Sequence, residues 1–218
     1  MKIKEFVFNP FQENTYVVYD ETKECIIIDP GCYDVTEFEE LRNFISSAEL
    51  KPVALLNTHC HIDHVFGNYF VADEYGLKPQ IHPNEKQILL SMSAVGEMYG
   101  LNVTESPEAE MSLADNANFR FGNTELKMIF APGHSPGSIC FYHDVSGQLI
   151  GGDVLFQGSI GRSDLPGGDF HTLLQSIRER LFILPDETVV YPGHGPQTTI
   201  GYEKKFNPFL TDAASYTS

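Results

Sequence analysis

Basic residues are scarce in this sequence, which has 14 Lys and Arg against 30 Asp and Glu and a formal net charge of −16 at pH 7. A protein that binds nucleic acid needs clustered positive charge to contact the phosphate backbone. The shortage of Lys and Arg therefore excludes a broad nucleic-acid surface, and we expect no nucleic-acid partner. We attribute the acidity to solubility, because a net charge far from zero keeps protein molecules apart.

Long apolar runs, a signal peptide and paired cysteines are also missing from the sequence. No apolar stretch approaches the length of a membrane span, and residues 1–5 do not open into the apolar core of a signal peptide. The four cysteines form no Cys-x-x-Cys pair, so we expect free thiols in a reducing compartment. These absences together predict a cytoplasmic protein that makes no contact with a membrane.

The residues that are present fit a globular domain with regular elements. A hydrophobic content of 42% is ordinary for such a domain, and we predict a single domain over residues 1–218. Asp34 is the predicted N-cap of one helix, whose apolar stripe starts at Val35. A second helix is predicted over 64–75, and Asn84 is predicted to cap a third. Strands are predicted over 2–8, 15–19, 25–28, 52–57, 119–121, 125–130, 138–143, 148–150 and 188–191.

Residues 91–118 are the least regular part of the sequence. They contain Ser, Gly, Met, Asn and acidic residues without a clean period. We interpret the segment either as a surface excursion or as a lid over a site, because long irregular loops often have such a function.

Metal-binding residue types are densest in the segment 58–64, Thr-His-Cys-His-Ile-Asp-His. His59, His61 and Asp63 alternate, so in an extended segment their side chains lie on one side. His64 follows at once and can reach a second point beside the first. Neutral imidazoles and a carboxylate suit zinc, iron or manganese. The alternative is a polar turn with Asp63 as a helix N-cap, which accounts for the aspartate but not for three histidines.

Two further histidines follow apolar strands within the same short motif, Pro-Gly-His-x-Pro, at residues 132–136 and 192–196. The glycine of each copy lets the backbone turn closely at the strand end, so His134 and His194 are candidate ligands. Asp153 also follows a predicted strand, and ligands in open α/β sheets gather at such ends. A pair of unrelated turns is the alternative interpretation of the repeated motif.

The order His-x-His-x-Asp-His, followed by His, Asp and His, resembles the metallo-β-lactamase superfamily. The resemblance implies an α/β fold, a four-layer αββα sandwich of two mixed β-sheets with helices outside. It also implies two divalent metal ions per chain, with zinc favoured and iron or manganese as alternatives. It assigns one ion to His59, His61 and His134, the other ion to Asp63, His64 and His194, and a bridging role to Asp153.

The same resemblance implies a metal-dependent hydrolase. In the implied mechanism a hydroxide bridging the two metals would attack a carbonyl carbon, and Asp63 would act as a catalytic residue that orients the hydroxide or carries a proton. Asp153 stands where the best-known zinc β-lactamases have a cysteine, which disfavours antibiotic hydrolysis. His61 stands where flavodiiron proteins have a glutamate, which disfavours that redox role.

Residues 158–164 and 201–210 resemble the small single-domain members of the glyoxalase II-like group. That resemblance implies hydrolysis of a small-molecule thioester such as S-lactoylglutathione. The C-terminal tail is too short for the helical domain that binds glutathione in full-length glyoxalase II, so we expect that domain to be absent. Arg162 is predicted either to hold a substrate carboxylate or to pair with Asp164 or Asp169.

Three other functions are alternatives on the sequence alone. The first is a persulfide dioxygenase with a single iron, which would be held by His134, Asp153 and either His59 or His61. The second is an ester or lactone hydrolase. The third is a non-catalytic metal-binding module, and the sequence makes no prediction of the oligomeric state.

Overall fold

The structure, a computed structural model, describes residues 1–211. Its strands are β1 (Lys2–Phe8), β2 (Glu13–Tyr19), β3 (Glu24–Ile28), β4 (Lys51–Leu56), β5 (Pro79–Gln80), β6 (Asn118–Phe121), β7 (Thr124–Phe130), β8 (Ile139–His143), β9 (Gln148–Gly152), β10 (Leu155–Phe156), β11 (Ser159–Ile160), β12 (Val189–Pro192) and β13 (Thr198–Thr199). Its α-helices are α1 (Val35–Ser47), α2 (Ile62–Val65), α3 (Asn68–Tyr75), α4 (Lys86–Leu90), α5 (Met92–Tyr99), α6 (Phe170–Ser176) and α7 (Ile200–Phe206). A 3-10 turn over Pro83–Glu85 precedes α4, and a π-helical turn over Ile177–Leu181 continues α6. None of the helices in this part of the chain has both the length and the apolar character that a membrane crossing needs.

The strands form two mixed sheets and one short hairpin. The first sheet has the order β1-β2-β3-β4-β5, in which the first three strands are antiparallel and β4 and β5 join in parallel. The second sheet has the order β13-β12-β9-β8-β7-β6, in which only β9 and β12 are parallel neighbours. Strands β10 and β11 pair with each other. The prediction of an α/β fold with two mixed sheets is confirmed.

Alternation of side chains along the strands builds four layers. On β3, Ile26 enters the core between the two sheets, whereas its neighbour Ile27 packs with residues of α1. On β8, Phe141 enters the same central core, whereas Cys140 packs with residues of α6. Each sheet therefore has one face on its partner sheet and one face on a helix, which is the predicted αββα sandwich.

The two sheets meet at the edge where several strands end. Strands β9 and β12 are parallel, and β7 runs in the same direction because one antiparallel strand separates it from β9. Their carboxyl ends therefore lie at one edge. There the amide of Ile139 donates to the carbonyl of Thr58 (2.9 Å), and the amide of Asn14 donates to the carbonyl of Gly193 (2.7 Å). The first bond joins the end of β4 to the start of β8, and the second joins the start of β2 to the end of β12, so both connect the two sheets at this edge.

The prediction of one helix over 64–75 is wrong, because the chain forms the two helices α2 and α3, with a break at Phe66 and Gly67. The amide of Gly67 donates to the carbonyl of Pro30 (2.7 Å). A Cβ atom at Gly67 would lie 2.2 Å from Sγ of Cys32. This close approach holds the loop after β3 against the turn that carries the histidine cluster, and it interrupts the helix.

Three smaller predictions also need correction. Val35 is 61% exposed, so it takes no part in the buried stripe of α1. Asn84 does not cap a helix; the ring of His82 accepts a hydrogen bond from its amide (3.2 Å) and caps the 3-10 turn. Residues 91–118 are not irregular throughout, because α5 occupies Met92–Tyr99; the sequence hides this helix because Gly96 interrupts its apolar face where the following loop packs closely. The interpretation of the segment as a surface excursion or a lid stays a prediction.

Candidate metal centre

The structure brings all seven predicted ligands to the edge where β4, β7, β9 and β12 end. Three of them, His59, His61 and His134, form what we call the trihistidine group. Nδ1 of His61 lies 2.8 Å from Nε2 of His134, and the latter atom lies 3.2 Å from Nε2 of His59. Nitrogen ligands of one tetrahedral zinc ion lie roughly 3.3 Å apart. The three rings are therefore arranged as ligands of a single ion would be.

Asp63, His64 and His194 form a second cluster, which we call the acidic group. Oδ2 of Asp63 lies 3.1 Å from Nε2 of His194 and 3.8 Å from Nε2 of His64. Helix α2 supplies the first two residues, and His194 follows β12. The rings of His59 and His64 have centroids 4.1 Å apart, so the two groups are direct neighbours.

Asp153 lies between the two groups. Its Oδ1 atom is 3.4 Å from Nε2 of His64, and its Oδ2 atom is 3.5 Å from Nε2 of His134 and 3.6 Å from Nε2 of His194. A Cβ atom at Gly193 would lie 2.1 Å from Oδ1 of Asp153. The glycine of this Pro-Gly-His-x-Pro copy is therefore required for the aspartate to reach both groups.

Hydrogen bonds on the far side of the His134 and His194 rings direct their Nε2 atoms towards the centre. Nδ1 of His134 donates to the carbonyl of Arg162 (2.7 Å), and Nδ1 of His194 donates to the carbonyl of Phe11 (3.1 Å). We assign these tautomers from the partners, because a carbonyl oxygen only accepts. In the neutral form of each ring, Nε2 then carries a lone pair that faces the centre, as a metal ligand must.

Burial determines the protonation of the trihistidine group. Loss of hydration lowers the pKa of His59 well below its ordinary value, lowers the pKa of His61 to about 3, and lowers the pKa of His134. The charge of neighbouring histidines lowers the pKa of His59 and His61 further. All three imidazoles are therefore neutral at pH 7, the form that binds metal.

In the acidic group, carboxylates reverse the effect of burial. Burial lowers the pKa of His64 and of His194, but Asp63 and Asp153 hold both pKa values above the ordinary range. Burial likewise raises the pKa of Asp63 and of Asp153, but the charge of His64 holds both pKa values below their ordinary range. Without a cation, the carboxylates of this group favour the protonated form of both imidazoles.

The chemistry of the donor set fits bound cations. Nε2 of His64 and Oδ1 of Asp153 are buried and have no hydrogen-bond partner among the described residues. A buried polar atom without a partner costs free energy, and a cation between them would satisfy both. Imidazole and carboxylate ligands suit zinc, iron and manganese. The residues present thus fit two divalent ions, one at each group, with Asp153 shared.

Asp29 belongs to this centre, although its sequence context, before Pro30 and Gly31, is that of an ordinary turn. Its carboxylate accepts from the amide of Thr58 (2.7 Å), the hydroxyl of Thr58 (2.5 Å) and Nδ1 of His64 (3.2 Å). The hydroxyl of Thr58 also lies 3.1 Å from Nδ1 of His59. Asp29 therefore orients one ring of each group. Its place after the buried strand β3 was the available signal, because binding residues gather at strand ends.

Glu85 is a second residue that the sequence did not reveal, and it connects the two loops of the trihistidine group. Its side chain is fully buried. Its carboxylate accepts from the amide of Cys60 (2.8 Å), the hydroxyl of Ser135 (2.6 Å) and the amide of Gly137 (2.6 Å). These partners flank the three histidines in the chain. A glutamate before a short helix resembles any surface helix in sequence, so no signal marked it.

A cavity of about 410 Å³ lies directly over the centre. Ligand-binding cavities in proteins usually measure about 300–1,000 Å³, so a small molecule fits. Its floor includes members of both groups and the aspartate between them, and its walls include residues of α4 and α5. The residues of the floor are His61, Asp63, His134, Asp153 and His194.

Arg162 lies at the same cavity. Its Nε and NH2 atoms donate to the two carboxylate oxygens of Asp164, at 2.8 Å and 2.7 Å. Of the two predicted roles, the structure therefore shows the ion pair with Asp164. The role of Arg162 in holding a substrate carboxylate stays a prediction.

An αββα sandwich with paired His and Asp groups at one edge is the architecture of a metallo-hydrolase. The family model of the metallo-beta-lactamase superfamily matches residues 8–194, which is most of the chain. The chain therefore belongs to the metallo-beta-lactamase superfamily, as the order of its motifs predicted.

Two curated relatives match almost the whole chain. The probable metallo-hydrolase YqgX of Bacillus subtilis is 39% identical over 96% of this chain and 98% of its own length. The hydroxyacylglutathione hydrolase GloC of Haemophilus influenzae is 36% identical over 96% of this chain and 98% of its own length.

Two solved structures also resemble this chain over nearly its whole length. The structure of BLEG-1 B3 metallo-beta-lactamase has a TM-score of 0.88 at 38% identity and covers 96% of this chain and all of its own. The di-iron-bound form of TTHA1623 has a TM-score of 0.85 at 36% identity and covers 95% of this chain and all of its own.

Proposed function

We propose that this protein is a metal-dependent thioesterase of the glyoxalase II type, which hydrolyses a small-molecule acyl thioester. The observation that carries the proposal is the cavity whose floor contains members of both candidate metal groups and the shared Asp153. The likeness to the GloC hydroxyacylglutathione hydrolase over nearly the full chain supports it.

The trihistidine group with Asp153 would hold one ion, and the acidic group with Asp153 would hold the other. We propose zinc, with iron as the alternative because the similar structure of TTHA1623 was determined in a di-iron-bound form. Divalent ions at such a centre polarise a carbonyl oxygen and lower the pKa of water to about 7.

Asp63 is the proposed catalytic residue. Its carboxylate forms part of the cavity floor, and its pKa is low because His64 and His194 offset the effect of burial. An ionised carboxylate accepts a hydrogen bond from the attacking water and takes its proton. Water adds to the carbonyl carbon, the C–S bond breaks, and the departing thiolate receives the proton.

Thiol release from S-lactoylglutathione and other thioesters, measured without oxygen on protein loaded with zinc or iron, tests this function. Turnover is expected with either metal if it occupies both groups, and Asp63→Asn should lower kcat by about 10²–10⁴-fold. Oxygen uptake with a persulfide, without thiol release from any thioester, would show a persulfide dioxygenase instead. Two bound metals without turnover of thioester, ester or lactone would show a binding module.

A β-lactam is the second candidate substrate, because the structure of BLEG-1 B3 metallo-beta-lactamase is 38% identical. Hydrolysis of its amide also begins with attack of water on a carbonyl carbon. The prediction from Asp153 disfavours this activity, so we expect kcat/KM for a chromogenic cephalosporin to be lower than for a thioester. A higher value with the cephalosporin would reverse the order of the two candidates.

A further inference from the structure

One wall of the cavity is made by two consecutive helices, α4 and α5. Ile88, Met92, Val95 and Tyr99 line it, at intervals of four, three and four residues along α4 and α5. Side chains at such intervals lie on one side of a helix. We call these four residues the apolar wall, because none of them has a charged side chain and all have a largely hydrocarbon side chain.

The rim above the apolar wall is aromatic. The ring of Tyr99 meets the ring of Phe11 edge-on, with centroids 5.7 Å apart, and Phe11 stacks on Phe66 with centroids 6.3 Å apart. Tyr99 is 54% exposed and Phe11 is 37% exposed. The rim therefore keeps apolar ring surface in contact with water, and a ligand with an apolar part would cover it favourably.

The cavity offers few cationic side chains to a ligand with several carboxylates. Arg162 is the one Lys or Arg that lines the cavity in residues 1–211. Its guanidinium is already bound by both carboxylate oxygens of Asp164. A glutathione moiety has two carboxylates, so the cavity offers it a single basic side chain that is already paired.

We propose that the substrate carries an uncharged apolar arm, alkyl or aryl, next to the thioester carbonyl, and that the apolar wall binds this arm. The inference rests on the proposed thioesterase function and narrows its substrate class. The arm is either the acyl chain or the substituent of the thiol, because both flank the carbonyl carbon. Hydrolysis adds water to that carbon, breaks the C–S bond and releases a carboxylic acid and a thiol.

Two series of thioesters on the metal-loaded protein test the proposal. Acyl chains from acetyl to hexanoyl on N-acetylcysteamine vary the acyl arm, and acetyl thioesters of alkyl and aryl thiols vary the thiol arm. We expect kcat/KM to rise about fourfold per methylene in one series and to exceed the value for S-lactoylglutathione. The series that rises identifies which side of the thioester meets the apolar wall.

Variants of α5 supply the matched controls. Tyr99→Ala and Val95→Asn should flatten the rise, because both side chains belong to the apolar wall. Met98→Ala should leave the rise unchanged, because Met98 is 85% exposed and does not line the cavity. Tyr99 is half exposed, so its replacement should also leave the melting temperature close to that of the unaltered protein.

Two results separate failure of this inference from failure of the proposed function. Turnover of S-lactoylglutathione with no rise in either series overturns the inference and leaves the thioesterase function intact. Absence of turnover for all thioesters, with two metals bound, overturns the function. The arm is then tested by calorimetric binding of alkyl hydroxamates from two to six carbons, and an affinity independent of chain length overturns the inference as well.

Discussion

The two halves of the candidate metal centre use the same side chain in opposite electrostatic states. In the trihistidine group, burial lowers the pKa of every ring, and the imidazoles are neutral. In the acidic group, the pKa of His64 and of His194 is raised by adjacent carboxylates. The rings of His59 and His64 are only 4.1 Å apart. The difference shows that burial sets the pKa of the histidines in the trihistidine group, whereas adjacent carboxylates outweigh burial in the acidic group.

Replacement of Asp153 with alanine should have the largest effect, because this side chain lies within 3.6 Å of rings in both groups and its loss impairs both. We expect both ions to bind more weakly and kcat/KM to fall by about 10³-fold or more, since the ions contribute several kcal/mol to catalysis. Metal per chain by mass spectrometry and thiol release provide the two measurements.

Variants that remove one ligand from one group show which ion each group binds. His134→Ala should remove the ion of the trihistidine group, and His194→Ala should remove the ion of the acidic group. His82→Ala is the control, because His82 stacks on Phe130 with centroids 4.7 Å apart and belongs to neither group. Unchanged metal content in both His134→Ala and Asp153→Ala would refute the proposed centre.

Asp29→Ala should lower the metal affinity of both groups, because Asp29 orients His64 directly and His59 through Thr58. Loss of such a partner of a ligand lowers metal affinity by about 10–100-fold, which competition with a fluorescent chelator measures. Asp20→Ala is the matched control. Asp20 is also a buried aspartate with several hydrogen bonds, but it lies at the opposite end of β2. Equal affinity losses in the two variants would show general destabilisation.

Glu85→Gln should affect metal binding only at the trihistidine group, because Glu85 joins the two loops that carry it. An amide replaces a buried carboxylate that accepts three hydrogen bonds, so donors on Cys60, Ser135 or Gly137 lose a partner. We expect the free energy of unfolding to fall by about 1–3 kcal/mol, measured by urea denaturation of the metal-free protein. The ion of the trihistidine group should also dissociate faster. Faster loss from the acidic group alone would contradict the assigned role.

Arg162→Gln should have the smallest effect. The Arg162 and Asp164 side chains are mostly exposed, so the melting temperature should stay unchanged. If Arg162 holds a substrate carboxylate, KM for a thioester with a carboxylate should rise several-fold, and KM for an uncharged thioester should not. Asp164→Asn is the matched control, because it frees the guanidinium and should lower KM for the same charged substrate. Identical KM values in all three proteins would remove Arg162 from substrate binding.

Much of the site was predictable because histidine is unusual in the turns where it occurs here. Nothing in turn or cap chemistry favours histidine at positions 59, 61 and 64, or twice after Pro-Gly, so those positions point to ligands. Asp29 and Glu85 escaped prediction for the opposite reason. An aspartate before Pro-Gly and a glutamate before a helix are common local features, and only contacts across the fold show what they hold.

Strand alternation, the strand ends and the ligand residue types were determined by the sequence alone, because they depend on neighbours within a few positions. The break of the predicted helix at Gly67 depends on Pro30 and Cys32, far away in the chain. The pKa difference between the two halves and the apolar wall over them likewise depend on side chains that folding brings together. Electrostatic and packing energies act over a few ångströms of space, so only the tertiary structure decided these features.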